Sequence, residues 1–320
     1  MLRSLFSNLS KAAWAQRAIT SWGFARRASL RFVAGESPPQ AIEAVRQLNL
    51  KRINATLDHL GENTASPEAA RAAADEILAL LDAIQRSGVR ANVSIKLSQI
   101  GLALDPELCR SLLFEILAHA RAQANFVRID MEDASLTSPT LALYHAALEQ
   151  GFADHTGIVL QSYLYRTAAD LEQVLARGGR VRLCKGAYKE PPELAFPRKQ
   201  DVDVNYDQLT LKLLRHAREG QSAPLSADGR RPPAPAFATH DEKRIAYIRR
   251  AVEELGLPKH AIEFQMLYGI RRDLQSALAG QGFPLRVYVP YGTHWYPYFM
   301  RRLGERPANI WFFVSNFLRS

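Results

Sequence analysis

"FVRIDMEDASLTSPTLALYHAALEQGFADHTGIVLQSY", residues 126–163, is the unit from which most of the chain is built. Its two ends, 126–132 and 157–163, are short runs rich in apolar and β-branched residues, and the stretch between them spaces its Leu and Ala residues as a helix does. Ser138-Pro139 is expected to open that helix, with a capping side chain ahead of a proline at the first helical position, and Gly151 to close it. Two strands joined by a helix read as a βαβ unit with parallel strands.

The same beat extends in both directions. Further strands are expected at "RINATLDHLG" (52–61), "NVSIKLS" (92–98), "RVRLCKG" (180–186), "AFATHD" (236–241), "IEFQMLYG" (262–269) and "LRVYVPYG" (285–292), which brings the number to eight. Ser66-Pro67 and Asp105-Pro106 mark helix starts, Thr167 to Asp170 resembles a capping box, and Gly88, Gly178 and Gly256 mark helix ends. Eight β/α units in 320 residues, somewhat above the usual barrel length of about 250, point to an α/β fold of the (β/α)8 TIM-barrel type. Residues 1–50 are then additional N-terminal helices packing on the barrel, and 51–320 form the barrel itself. The rival is a doubly wound sheet with a second domain, but no G-x-G-x-x-G follows any strand and no linker divides the chain. The segment "GQSAPLSADGRRPPAPA" (220–236) reads as a loop-like or disordered surface insertion.

Composition narrows the class of function. The net charge is +9, with a pI near 9.7, but the basic residues are scattered among acidic helices. That is unlike the clustered basic and aromatic face of a nucleic-acid binder, so no nucleic-acid partner is expected. No stretch is apolar for the roughly 18 residues a membrane span needs. Residues 1–35 lack Asp and Glu but carry Arg3, Lys11, Arg17, Arg26, Arg27 and Arg31. This pattern fits a transit peptide or, as favoured here, a basic surface helix. Cys109 and Cys184 stand far apart, in no metal-ligand spacing, and suit small buried hydrophobes in a reducing compartment.

In a parallel barrel the chemistry sits at the C-terminal ends of the strands. The polar residues expected there are Lys96, Asp130, Gln161, Arg182, Lys185, Thr239, His240 and Tyr288. A charged side chain inside a barrel wall is costly unless it is paired or meets a ligand. Lys96 and Asp130 can therefore form an internal ion pair or line a site. Arg182 can point outward with its stem buried, or inward to a ligand. After it, Gly186, Ala187 and Tyr188 suit the approach of a large planar anion. His240 alone reads more simply as a satisfied loop histidine. In "YFMRRLGE" (298–305), Arg301 and Arg302 are either solvated helix residues or a grip on an anion. A metallohydrolase would need a cluster such as His-x-His, whereas "LDHLG" offers Asp58 beside His59, so no metal is expected. A Schiff-base lyase or aldolase using Lys96 or Lys185 is the alternative enzyme.

The fragments "RLCKGAY", "FATHD", "EFQMLYG", "VYVPYG" and "RRLGE", in this order, resemble the proline dehydrogenase family, and most of all its bacterial monofunctional members. "FVAGE" (32–36), "SIKLSQIGL" (94–102), "VRIDMEDA" (127–134) and "GIVLQSYLYRT" (157–167) extend the likeness over nearly the whole chain. The resemblance implies a distorted (β/α)8 barrel that binds FAD and oxidises L-proline to Δ1-pyrroline-5-carboxylate, the first step of proline degradation, with a membrane quinone as acceptor. It implies that Arg301 and Arg302 hold the proline carboxylate, that Glu36 pairs with Arg301, and that Lys96, Asp130, Tyr288 and Leu267 line the substrate pocket. Met131, Gln161, Arg182, Lys185, Gly186, Ala187, Thr239, His240 and Glu305 would contact the flavin, with Arg182 near N5. Asp130 and Arg182 are the expected catalytic pair. Lys189 stands where the large bifunctional relatives carry Trp, which implies a more open side of the cofactor. A cytoplasmic protein is implied, with a peripheral contact of the basic N-terminus at the inner face of the cytoplasmic membrane suiting quinone reduction.

Overall fold

In the computed structural model, which describes residues 29–61, 64–221 and 223–305, eight parallel strands close into a barrel in sequence order. The strands are β1 (Asn54–His59), β2 (Ala91–Ile95), β3 (Val127–Ile129), β4 (Thr156–Gln161), β5 (Val181–Cys184), β6 (Ala236–Ala238), β7 (Glu263–Leu267) and β8 (Leu285–Tyr291). β8 closes on β1 through six paired positions, Asn54 with Arg286 through His59 with Tyr291. Each expected strand is present, but shorter than its apolar run. The residues trimmed from the C-terminal ends, such as Lys96, Asp130 and Lys185, are the ones that form the rim.

The helices are α1 (Pro38–Asn49), α2 (Pro67–Ser87), α3 (Pro106–Ala122), α4 (Ala134–Glu149), α5 (Thr167–Ala176), α6 (Lys199–His216), α7 (Glu242–Glu254), α8 (Arg272–Gly280) and α9 (Trp295–Glu305). α2 and α3 start as expected, because Ser66 accepts from Ala69 N–H and Asp105 from the N–H groups of Glu107 and Leu108. Two expected starts are corrected. α4 begins at Ala134, capped by Asp133, and Pro139 lies inside it. The Asp133 carboxylate takes the N–H groups of Ser135 and Leu136, which moves the cap ahead of Ser138. Thr167 makes no capping box, since its hydroxyl donates to Gln161 O at 2.5 Å and Asp170 is held by Arg166 at 2.7 Å.

The apolar core lies between the strands' outer faces and the helices, where Leu57, Val93, Leu113, Ile129, Leu183 and Phe264 are buried. The barrel interior is polar instead. Arg286 and Glu263 form an ion pair of 2.8 Å with both side chains fully buried. Arg128, also buried, donates to Ile158 O and Arg180 O; Gly157 leaves it room, since a Cβ there would stand 2.3 Å from Arg128 Nη1.

The segment 220–236 is not a surface insertion throughout. From residue 226 onward it crosses the N-terminal end of the barrel and meets the interior charges. Gly229 O accepts from Arg286 Nη2 (2.7 Å), Arg230 O from Asn92 Nδ2 (2.8 Å) and Pro232 O from Arg180 Nη1 (3.3 Å). Loop carbonyls thus satisfy donors that the strands alone leave bare.

The expected basic N-terminal helix falls mostly on residues 1–28, outside the described residues. The segment that follows is ordered against the opposite end of the barrel. Ala34 N–H donates to Pro290 O and Gly292 N–H to Gly35 O, both across the end of β8. Phe32 and Val33 pack with Trp295, Phe299 and Met300 of α9 in a second apolar cluster, separate from the main core. Among the described residues, no helix is long and apolar enough to cross a membrane.

Candidate active site

At the C-terminal end of the barrel lies a cavity of about 670 Å³. Lys96, Asp130, Met131, Gln161, Arg182, Lys185, Gly186, Ala187, Thr239, His240, Leu267, Tyr288, Arg301 and Arg302 all line it. Strand alternation explains why distant residues meet there: side chains two apart face the same way, and the last inward positions of successive strands open onto one rim.

The wall between β8 and β3 is a hydrogen-bonded charge cluster. Asp130 Oδ1 accepts from Arg182 Nη1 (2.9 Å) and Ser94 Oγ (2.7 Å), and its Oδ2 accepts from the Tyr288 hydroxyl (2.8 Å). The Arg182 guanidinium stands 5.6 Å from the centre of the Tyr288 ring. Lys96 Nζ lies 3.3 Å from Asp58 Oδ2 and 3.5 Å from the Tyr288 hydroxyl. Burial pushes the Tyr288 phenol well above its ordinary value, and the charges of Asp130 and Asp58 push it the same way. Tyr288 is therefore a protonated donor. Lys96 and Asp130 are not each other's ion-pair partners; each has its own, Asp58 and Arg182.

Lys185, on the other side, is held between Asp203 (2.5 Å) and Asp241 (2.6 Å). Burial alone would raise the Asp241 carboxyl, but the hydrogen bond and charge of Lys185 outweigh it and hold the group down at about 2. His240 accepts the Leu267 N–H through Nε2 at 3.0 Å, which leaves its proton on Nδ1 and ties the end of β6 to the end of β7. The satisfied-loop reading of this histidine is supported, although the ring also lines the cavity. Gly186 has φ +106, and a Cβ would stand 2.1 Å from the Tyr163 ring, so packing alone already demands glycine there.

Arg301 and Arg302 reach the cavity from α9, and the Arg302 guanidinium lies 5.0 Å from the centre of the Tyr298 ring. Glu36 does not line the cavity; its N–H donates to Gln40 Oε1 at 2.8 Å, on the segment tied to β8. The side chain of Glu305 lies outside the described residues, and Lys189 is exposed, next to the cavity-lining Tyr188 but not itself lining the cavity. Burial raises both thiols to about 12, which disfavours the thiolate in each, although Cys184 also touches the cavity.

Sequence reading passed over Asp58, Ser94, Lys199, Asp241 and Tyr298 as site residues. Asp58 carries a usable signal, a carboxylate two residues beyond Thr56 on the inward side of an apolar strand, although beside His59 it reads first as a candidate metal ligand. Tyr298, three and four residues before the arginines, shares their helix face. Ser94 and Asp241 gain their meaning from partners on other strands.

A closed parallel barrel with convergent charged groups at the C-terminal ends of its strands defines the class, a TIM-barrel enzyme. A family model described as proline dehydrogenase matches residues 41–314. The chain is 41% identical over 292 residues to a proline dehydrogenase of Deinococcus radiodurans, covering 90% of this chain and 89% of that one. It is 39% identical over 320 residues to proline dehydrogenase 1 of Bacillus subtilis, with both chains covered completely. Among solved structures, proline utilization A from Bdellovibrio bacteriovorus, inactivated by N-propargylglycine, aligns at a TM-score of 0.77 and 25% identity, over 87% of this chain and 32% of that longer one. The chain belongs to the proline dehydrogenase family, and it is an oxidoreductase acting on proline.

Proposed function

We propose that the enzyme is FAD-dependent, that its product is Δ1-pyrroline-5-carboxylate, and that a membrane quinone takes the electrons. The observation that carries this reading is the meeting of Arg301, Arg302, Lys96, Asp130, Arg182 and Tyr288 at one cavity. The residues present fit a flavin. Arg182 Nε is buried with no hydrogen-bond partner, so a donor is left for a bound group. Gln161, Lys185, Thr239 and His240 add polar atoms along the same wall, and the cavity lies within the roughly 300 to 1,000 Å³ usual for cofactor sites.

FAD, when bound, supplies the hydride acceptor. The chain's own residues bind and orient proline. Arg301 and Arg302 take the carboxylate with charge-assisted hydrogen bonds, and Glu36 pairs with Arg301 to hold it there. Asp130 and Asp58 offer negative charge to the amine end of the zwitterion, while Lys96 and Arg182 keep that wall close to neutral. Leu267 packs on the substrate ring. Arg182 stabilises negative charge that develops beside it during hydride transfer. Met131, Gly186, Ala187 and Glu305 complete the cofactor contacts, and the open side next to Lys189 gives access. Residues 29–50 belong to the same domain as the barrel, and the basic residues before position 35 bring the enzyme to the inner face of the cytoplasmic membrane.

The competing Schiff-base chemistry is less well supported, because Lys185 is committed to two carboxylates and Lys96 to Asp58. Purified enzyme reconstituted with FAD is expected to be yellow and to bleach when L-proline is added without oxygen. A folded protein that takes up no FAD, yet gives a borohydride-trapped lysine adduct with a carbonyl substrate, would overturn this reading.

A further inference from the structure

Ser94 does not line the cavity, yet its hydroxyl sits between the two groups expected to be catalytic. Its Oγ is 2.7 Å from Asp130 Oδ1, 3.3 Å from Arg182 Nη1 and 3.4 Å from Arg128 O. The side chain has one proton. The short contact to a carboxylate claims it, because charge-assisted hydrogen bonds are the stronger ones, and the oxygen lone pairs are then turned toward the Arg182 N–H. Ser94 is buried, 2% exposed, on the inner face of β2, where no solvent competes for these bonds.

The arrangement explains an unusual feature of the Asp130–Arg182 pair. Arginine and carboxylate usually meet as a fork, through two nitrogens and two oxygens. Here a single nitrogen, Nη1, reaches a single oxygen, Oδ1, while Oδ2 is left to Tyr288 and Arg182 Nε is buried with no hydrogen-bond partner. By occupying Oδ1 together with Nη1, the serine hydroxyl holds the pair in this one-point geometry. Without it, Asp130 and Arg182 are free to rotate into the fork, which withdraws Oδ2 from Tyr288 and the remaining guanidinium donors from the cavity.

We propose that Ser94 is a positioning residue for proline oxidation, acting through Asp130 and Arg182. The inference rests on the reading of those two residues given above. It is tested with the FAD-loaded full-length enzyme, L-proline and an artificial electron-accepting dye. Ser94→Ala is expected to lower kcat about tenfold or more, as loss of a hydrogen bond to a charged group does, with KM changed much less. Ser94→Thr and Ser94→Val form a near-isosteric pair that differs in the hydroxyl. The threonine variant should retain most of kcat and the valine variant should lose it, while their melting temperatures fall together. In an Asp130→Asn background, Ser94→Ala should cost little more.

Equal loss in the Thr and Val variants would make Ser94 a packing residue and overturn the proposal. So would an unchanged kcat in Ser94→Ala, or the same loss with and without Asp130. If Asp130→Asn alone leaves kcat intact, the reading of Asp130 fails first and the proposal falls with it. A slow Asp130→Asn beside a fast Ser94→Ala overturns the Ser94 inference alone.

Discussion

The Tyr288 hydroxyl donates to Asp130 Oδ2 across 2.8 Å, joining β8 to the end of β3 although β1 and β2 stand between those strands in the barrel. Asp130 Oδ1 is already occupied by Ser94 and Arg182, and Tyr288 steadies the other oxygen. Tyr288→Phe keeps the ring and removes that bond. A hydrogen bond to a charged group is worth about 1.5 to 3 kcal/mol, so kcat/KM for proline should fall by roughly one to two orders of magnitude. A wild-type kcat/KM in the folded variant would remove Tyr288 from the machinery.

Arg302 is 9% exposed and lines the cavity beside Arg301, so a purely solvated role does not suit it. Arg302→Lys keeps the charge and loses the fork, and KM for proline should rise about ten- to a hundredfold with flavin content nearly unchanged. Prolinamide, which lacks the carboxylate, should discriminate little between the two enzymes. Steady-state kinetics with both substrates decides it.

Arg182→Met removes a guanidinium whose Nε has no protein partner and whose Nη1 serves Asp130. The bound flavin should become harder to reduce, with a lower reduction potential, and proline should reduce it more slowly. An unchanged potential in a folded, flavin-loaded variant would mean that this arginine only braces Asp130.

Stability should change at both ends of the pH scale. Burial raises the Cys109 thiol from 9.0 and, against an opposing hydrogen bond from Arg180 N–H, the Tyr144 phenol from 10.0, each to about 12. The unfolded chain ionises at the ordinary values while the folded chain resists. This contribution is therefore complete below about pH 9 and is lost as pH climbs toward 12. Asp241 behaves oppositely: its stabilisation is present above 3.8 and lost as pH falls through about 2. Lys185→Met removes the main group holding Asp241 down, so acid unfolding should begin at higher pH than in wild type. Melting temperatures across the range measure both effects, and a flat alkaline limb from pH 9 to 12 would contradict the first.

Gly229, in the loop closing the N-terminal end of the barrel, has φ +70, and a Cβ there would stand 2.5 Å from Asn54 Oδ1. Gly229→Ala should destabilise the fold by about 1 to 3 kcal/mol in urea unfolding. Its kcat should match wild type, because the loop and the cavity lie at opposite ends of the barrel. A variant as stable as wild type would show that the loop does not brace Arg286.

Local pattern carried much of this protein. Strand–helix alternation, the caps at Ser66 and Asp105 and the glycines after the helices are short-range effects, legible wherever neighbouring residues decide the backbone. The charged residues at strand ends were legible too, because a lysine or aspartate at the end of a buried strand has few other reasons to be there. What sequence could not supply was pairing. Whether Lys96 meets Asp130 or Asp58, whether Ser94 is filler or a bridge between Asp130 and Arg182, and whether residues 226–235 lie on the surface or close the barrel each depend on which strands close the ring and how far each is staggered. Those relations join residues up to 231 positions apart, as Arg286 meets Ala55 O, and the burial that makes them strong exists only once the barrel has closed.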